Sequence, residues 1–214
     1  MTGDIIIRQV SPEAIETESF RIIDSEVPEP RPFQGVQWEI VRRMIHTTAD
    51  FEMLDIVRFG GDAVEAGLKA LEQGCTIVTD TEMARRGIPV RRMDPLGCEV
   101  QCLMNDGRVT DLARSHGTTR AFAAVDVAVG AIAPAIWVIG NAPTALMRLV
   151  EHITEGRAAP MLVVGMPVGF VNASESKELL MQLDTPFISI KGRKGGSPLA
   201  ACVINALADV ILRR

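Results

Sequence analysis

Hydrophobic spacing divides the chain into two regimes. Up to about residue 72 the apolar positions recur every three to four residues, which predicts helices. Ile15 to Ile23 reads as a helix after a Ser11-Pro12 start signal, with a short strand expected before it at Ile5–Ile7. Val27-Pro28-Glu29-Pro30-Arg31-Pro32 cannot continue a helix and is read as an extended connector. Val36, Ile40, Val41, Met44 and Ile45 then mark the buried stripe of a second helix, with Glu39, Arg42, Arg43 and His46 on its polar side. The helical pattern runs on through Asp55 and breaks at Gly60-Gly61. A further helix spans Ala63–Leu71, with Gly74 as its C-cap.

From residue 73 the pattern alternates. Short β-branched runs predict strands at Thr76–Thr79, Cys98–Met104, Ala135–Ile139, Met161–Val164 and Phe187–Ile190. Helical spacing follows each: a helix opened by Asp80-Thr81-Glu82, then Val109–Ser115 and Thr118–Val129, Thr144–Ile153, Ser174–Leu183 and Pro198–Leu212. Strand then helix, repeated, predicts an α/β protein: three layers, α/β/α, around a mainly parallel sheet of about five strands. The expected organisation is one domain over 1–214, mostly helical in 1–72 and alternating in 73–214. Ala121–Ile139 is apolar enough to resemble a short membrane span, but Asp126, Gly130 and Pro134 interrupt it. A buried helix ending near Gly130, followed by a strand from Ala135, accounts for it, and no membrane association is expected.

Composition narrows the chemistry. At 214 residues and 47% hydrophobic, the chain can bury one good core. A net charge of −5 argues against general nucleic-acid affinity. Local basic groups at Arg42-Arg43, Arg85-Arg86, Arg91-Arg92 and Lys191-Arg193-Lys194 still allow a site for a polyanion. Cys75, Cys98, Cys102 and Cys202 match no zinc spacing, and His46, His116 and His152 form no local metal motif. Neither a metal site nor a cofactor is expected. No secretory signal pattern is visible, and reduced thiols in the cytoplasm are the expectation.

Ligands of open α/β sheets bind beyond the carboxyl ends of the strands. Four stretches fall on that edge: Asp80-Thr81, Gly140-Asn141, Gly165-Met166-Pro167 and Gly192 to Ser197. They make Thr81, Asn141, Gly165, Met166, Pro167, Arg193, Gly195, Gly196 and Ser197 candidate contacts, with glycines allowing close backbone approach. Ser197-Pro198 opens the last helix, whose N-terminus is suited to an anionic group. No P-loop, dinucleotide fingerprint, nucleophile elbow or H-E-x-x-H motif is present. His46 can exchange a proton near neutrality, although its spacing alone favours a surface histidine at a helix C-terminus.

Arg43-Met44-Ile45-His46-Thr47-Thr48-Ala49-Asp50 resembles the histidine motif of the precorrin-8X and cobalt-precorrin-8 methylmutases. Gly140 to Leu146, Gly165 to Val171, Glu175-Ser176-Lys177 and Gly192 to Ser197 agree with that family in order, so the resemblance runs from about Ser19 to Asn205. It implies an isomerase of corrin biosynthesis that moves a methyl group from C-11 to C-12 of a late precursor. His46 would be the proton donor or acceptor, with Ser19, Arg43 and Arg120 as substrate contacts and a homodimer as the assembly. Any cobalt would belong to the substrate, and His46 to Phe51 looks closer to the cobalt-pathway form than to the metal-free one. A non-catalytic tetrapyrrole carrier and an α/β enzyme acting on a phosphorylated substrate are the alternatives.

Overall fold

Apolar runs bounded by turn residues become strands, and the longer periodic segments between them become helices. The computed structural model describes Ser11 and residues 14–214. The strand expected at Ile5–Ile7, and Pro12 of the helix-start signal, lie outside those residues. The first part holds α1 (Ile15–Glu26), α2 (Gly35–Thr48), α3 (Met53–Ile56), β1 (Val57–Gly60) and α4 (Ala63–Glu72). Then come β2 (Thr76–Thr79), α5 (Glu82–Gly87), α6 (Val90–Met93), β3 (Glu99–Cys102), α7 (Gly107–His116) and α8 (Arg120–Ala131). The last third alternates strictly: β4 (Ile136–Ile139), α9 (Pro143–Thr154), β5 (Leu162–Gly165), α10 (Ala173–Leu180), β6 (Phe187–Ile190) and α11 (Ser197–Leu212).

The strands form one six-stranded sheet in the order β1-β6-β5-β4-β2-β3, parallel except for β1. That edge strand corrects the sequence reading, which ran helix to Asp55 and then a glycine break. Val57 pairs with Ile190 and Gly60 with Phe187, so a four-residue segment is held extended by its neighbour. Gly60 suits this place: a Cβ there would lie 2.0 Å from the Phe187 ring. β3 is shorter than expected, since Leu103 and Met104 leave the sheet for the turn into α7.

Successive strand residues face opposite layers. Ile136, Val138, Leu162, Val164, Ile188 and Ile190 pack with α2, α4 and α11. Trp137, Ile139, Val163 and Phe187 pack with helices α7 to α10. The sheet is thus covered on both faces, as its apolar strands require. The alanine-rich stretch that resembled a membrane span is α8, which buries Ala123, Ala124, Val125 and Ala128 in this second core. Among the described residues no helix is long and apolar enough to cross a membrane.

Eleven of the sixteen residues of α11 are buried, so it is covered on nearly every side, with α2 among its neighbours. Ion pairs Glu39–Arg213 and Arg43–Asp209 advance along α2 as they recede along α11. The two helices are therefore antiparallel. Because α11 starts just beyond β6, the His46 end of α2 lies at the carboxyl edge of the sheet. The chain runs from β2 outward to β3 and then returns to place β4 on the other side of β2. The crevice between the ends of β2 and β4 is the topological switch point where α/β folds receive ligands.

Candidate active site

Helix α2 buries Trp38, Ile40, Val41, Met44 and Ile45, which leaves His46 half-buried in its last turn. The His46 ring meets the edge of Phe20 of α1, with centroids 5.4 Å apart and planes at 74°. Neither ring nitrogen has a hydrogen-bond partner among the described residues. The groups around it are all engaged. Thr47 donates to the Arg43 carbonyl at 2.8 Å and Thr48 to that of Met44 at 2.9 Å. Ala49 ends the helix in the left-handed region at φ 52°, and its N–H bonds the Ile45 carbonyl. Asp50 accepts from the Glu52 amide at 2.9 Å and from the Lys194 ammonium. An imidazole with both nitrogens open, at a helix end and on an apolar edge, is equipped to exchange a proton with something outside this chain.

Arg43, one turn earlier on α2, is paired within the chain. Its side chain is only 11% exposed, and its guanidinium bonds Glu16 at 3.1 and 3.2 Å and Asp209 at 2.7 Å. Arg92 meets the same Asp209 at 2.6 Å, and Arg42 donates to Asp24 at 2.6 Å. Arg42 and Arg43 both lie over the Phe20 ring, 4.5 and 5.3 Å from its centroid. A cavity of about 370 Å³ beside this network is lined by Arg42, Arg43, Arg92 and Arg213 together with Glu16, Glu39 and Asp209. Its charges are matched within the chain, and His46 does not line it. Ser19 is half-buried and donates its hydroxyl to the Ile15 carbonyl at 2.8 Å. Arg43 and Ser19 thus have hydrogen-bond partners within the helical layer, beside the contact of Phe20 with His46.

The switch-point crevice is closed from inside. Asp80, at the end of β2, is buried and accepts from the amides of Gly140 (3.1 Å), Asn141 (2.8 Å) and Ala142 (2.7 Å). Burial pushes its pKa up, while those N–H bonds pull the other way. Its carboxylate takes the amides that a phosphate would need. The sequence reading placed Asp80-Thr81 at a helix start and on the strand-end edge, without singling out the Asp80 carboxylate. The available signal was an acidic residue ending one strand with the glycine-led turn Gly140-Asn141-Ala142 ending another. Thr81 caps α5 by accepting from the Ala84 amide at 3.1 Å, and its hydroxyl lies 2.8 Å from that of buried Ser197.

Glycines on this edge were expected to bring backbone close to a ligand. Two of them, Gly140 and Gly195, bring loops close to each other. A Cβ on Gly140 would sit 2.7 Å from the Ser197 Cα, and one on Gly195 only 2.1 Å from the Met166 carbonyl oxygen. The Gly196 amide donates to Met166 at 3.0 Å and the Gly169 amide to Arg193 at 3.2 Å. Gly165, Met166 and Pro167 are buried, and Ser189 donates to the Gly165 carbonyl at 2.6 Å. Ser197, at the start of α11, is buried with its hydroxyl against that of Thr81.

Three of the candidate residues face outward. The Asn141 side chain is exposed beyond β4. Arg193 is exposed, with its guanidinium 5.4 Å from the ring centre of Phe170, itself 83% exposed. Arg120 opens α8 on the opposite helical layer from His46, exposed and reaching the Met104 carbonyl at 3.4 Å. Phe170 was missed as an individual residue; a large aromatic between Gly169 and Val171 reads in sequence as core. Among the described residues no group of three or more His, Cys, Asp or Glu side chains is arranged to hold a metal.

Comparison with known proteins gives a consistent result. The sequence profile of the precorrin-8X methylmutase family matches residues 14–210. The cobalt-precorrin-8 methylmutase of Salmonella typhimurium is 46% identical over 201 residues, covering 92% of this chain and 94% of that protein. The cobalt-precorrin-8 methylmutase of Priestia megaterium is 43% identical, with 93% and 88% covered. A crystal structure of precorrin-8X methyl mutase from Thermus thermophilus superposes with a TM-score of 0.85 at 48% identity, covering 92% of this chain and 95% of that one.

Proposed function

The chain belongs to the precorrin-8X methylmutase family, and from that premise we propose that it rearranges the cobalt-bearing ring, with His46 as the acid–base group. As a methylmutase it is an isomerase of corrin biosynthesis, moving a methyl group from C-11 to C-12 of the precursor. The C-11–methyl bond breaks as the C-12–methyl bond forms within the ring's own conjugated system. No covalent enzyme intermediate is needed. The rearrangement is an isomerisation, so a proton accepted by the ring at one position is released from another. The protein's work is to orient the macrocycle and to move that proton.

The observation that carries this reading is the His46 imidazole, half-buried against Phe20 with neither nitrogen bonded. Arg120, Asn141 and Arg193, exposed at the sheet edge, are assigned to the anionic acetate and propionate arms of the ring. Ser19 and Arg43, beside the His46 platform, are assigned as substrate contacts in keeping with the family resemblance, with Arg43 held in place by Glu16 and Asp209. Thr81, Gly165, Met166, Pro167, Gly195, Gly196 and Ser197 form the rigid floor beneath the exposed groups. Cobalt travels with the substrate and is not asked of the protein. His46 and Arg120 sit in opposite helical layers, which supports a homodimer in which each ring contacts both chains. The cytoplasm is the proposed location.

His46→Asn tests the assignment. The variant keeps a polar side chain of similar size, so it should fold and still bind the corrinoid. Its single-turnover conversion, followed by visible absorbance, should slow roughly 10²–10⁴-fold. A near-normal rate in a folded variant would remove His46 from the chemistry.

A further inference from the structure

Lys177, on α10, has no exposed surface. Its ammonium donates to the main-chain carbonyl of Lys194 at 2.6 Å and makes no ion pair among the described residues. Burial alone draws its pKa from 10.5 down to about 8. An interior ammonium with no counter-charge costs stability, and an apolar side chain of the same size would fill the space at no such cost. What Lys177 holds is therefore the point of interest.

The carbonyl it grips belongs to the strand-end loop after β6. That loop is joined to the loop after β5 by the Gly196–Met166 and Gly169–Arg193 main-chain bonds. The side chain of Lys194 makes contacts separate from that carbonyl bond. Its ammonium bonds the carboxylates of Asp50 and Glu52, the latter at 2.6 Å. Asp50 stands four residues after His46, in the turn that ends α2. A continuous chain of polar contacts thus runs from α10, through the Lys194 peptide and side chain, to the corner that carries the histidine.

We propose that Lys177 is a positioning residue for the methyl shift: by gripping the Lys194 carbonyl it aims the Lys194 ammonium at Asp50 and Glu52, and so holds the His46 end of α2 against the strand-end loops. This rests on the reading of His46 given above. Lys177 touches no substrate. Its part is to keep the imidazole at the height and angle at which a ring seated on those loops meets it.

The test uses the full-length protein with Lys177→Met, Lys194→Met and the double variant. Three quantities are read: single-turnover rate with saturating cobalt-precorrin-8, corrinoid Kd, and the ring NMR signals of the three histidines. Each single variant should slow turnover by roughly ten- to a hundredfold with little change in Kd. The double variant should be no slower than the slower single, because both substitutions cut one chain. The His46 signal should move in both singles while that of His116, on α7, stays in place. Wild-type turnover per folded Lys177→Met molecule, losses that multiply in the double variant, or an unmoved His46 signal would each overturn the assignment. Should Lys177→Met fail to fold, Lys194→Met decides alone. Its side chain is 45% exposed, and a wild-type rate there breaks the proposed link. Unimpaired turnover by His46→Asn would sink the acid–base reading and this inference with it. A slow His46→Asn beside fully active Lys177→Met and Lys194→Met would sink this inference only.

Discussion

Replacing Lys177 by methionine should make the protein more stable at neutral pH and should flatten one component of its pH dependence. The folded-state pKa of about 8 lies below the ordinary 10.5. Between those values the unfolded chain holds a proton that the folded chain does not, so stability rises with pH across that window. At pH 7 the 2.5-unit difference amounts to a penalty of about 3 kcal/mol. Losing the bond to the Lys194 carbonyl returns about 1–2 kcal/mol, which leaves Lys177→Met ahead by about 1–2 kcal/mol. By pH 10 the wild type has shed about 2.5 kcal/mol of its penalty, and the advantage of methionine is gone. Cys202, whose pKa burial pushes up to about 12, and Cys102, also raised by burial, lower the stability of both proteins above about pH 9. That effect cancels in the difference. The chain has no tyrosine and only three other lysines, Lys69, Lys191 and Lys194; the other shifted groups, Cys75 raised, Cys98 lowered to about 7 and Lys194 raised by Asp50 and Glu52, are present in both proteins. Urea unfolding of both proteins under reducing conditions, at intervals from pH 7 to 10, gives the difference directly. Parallel stability curves would refute a buried, uncompensated ammonium at Lys177.

Further outcomes follow from the same geometry. Asp80→Ala leaves the amides of Gly140, Asn141 and Ala142 without their acceptor. It should lower unfolding free energy by about 3 kcal/mol or more, and an unchanged urea midpoint would show that the carboxylate does not close the crevice. Arg120→Ala should weaken corrinoid binding by about 1.5–3 kcal/mol, with the wild-type affinity falling as salt is added. Titrations indifferent to both changes would take Arg120 out of the site. Light scattering at micromolar concentration should give about twice the 23.2 kDa chain mass. A monomer there would end the shared-site picture.

The local elements and the candidate histidine were legible in the sequence because both are written in neighbouring residues. Helical spacing from Val36 to Ile45 places the buried stripe of α2 and therefore the polar side that bears His46. β-branched runs at Thr76, Ile136, Leu162 and Phe187 mark strands that are buried on both faces, and the alternation of strand with helix leaves few ways to arrange them. Val57–Gly60 carries no such signal. It is a strand only because β6 pairs with it, and its register is a property of the pair. The glycines at 140 and 195 look alike in sequence whether they face a ligand or another loop; only the approach of Ser197 and of the Met166 carbonyl distinguishes the two. The sequence puts Arg43 on the polar side of α2 beside His46 but does not reveal its partners, Glu16 and Asp209, 27 and 166 residues away. Asp80 and Lys177 likewise take their meaning from partners 60 and 17 residues distant. Periodicity and propensity act over a turn or two of chain, so a single sequence reveals which segments form and which face they bury. The partner of a buried charge or a tight glycine is set by how whole layers pack, and packing is decided only when the chain has closed on itself.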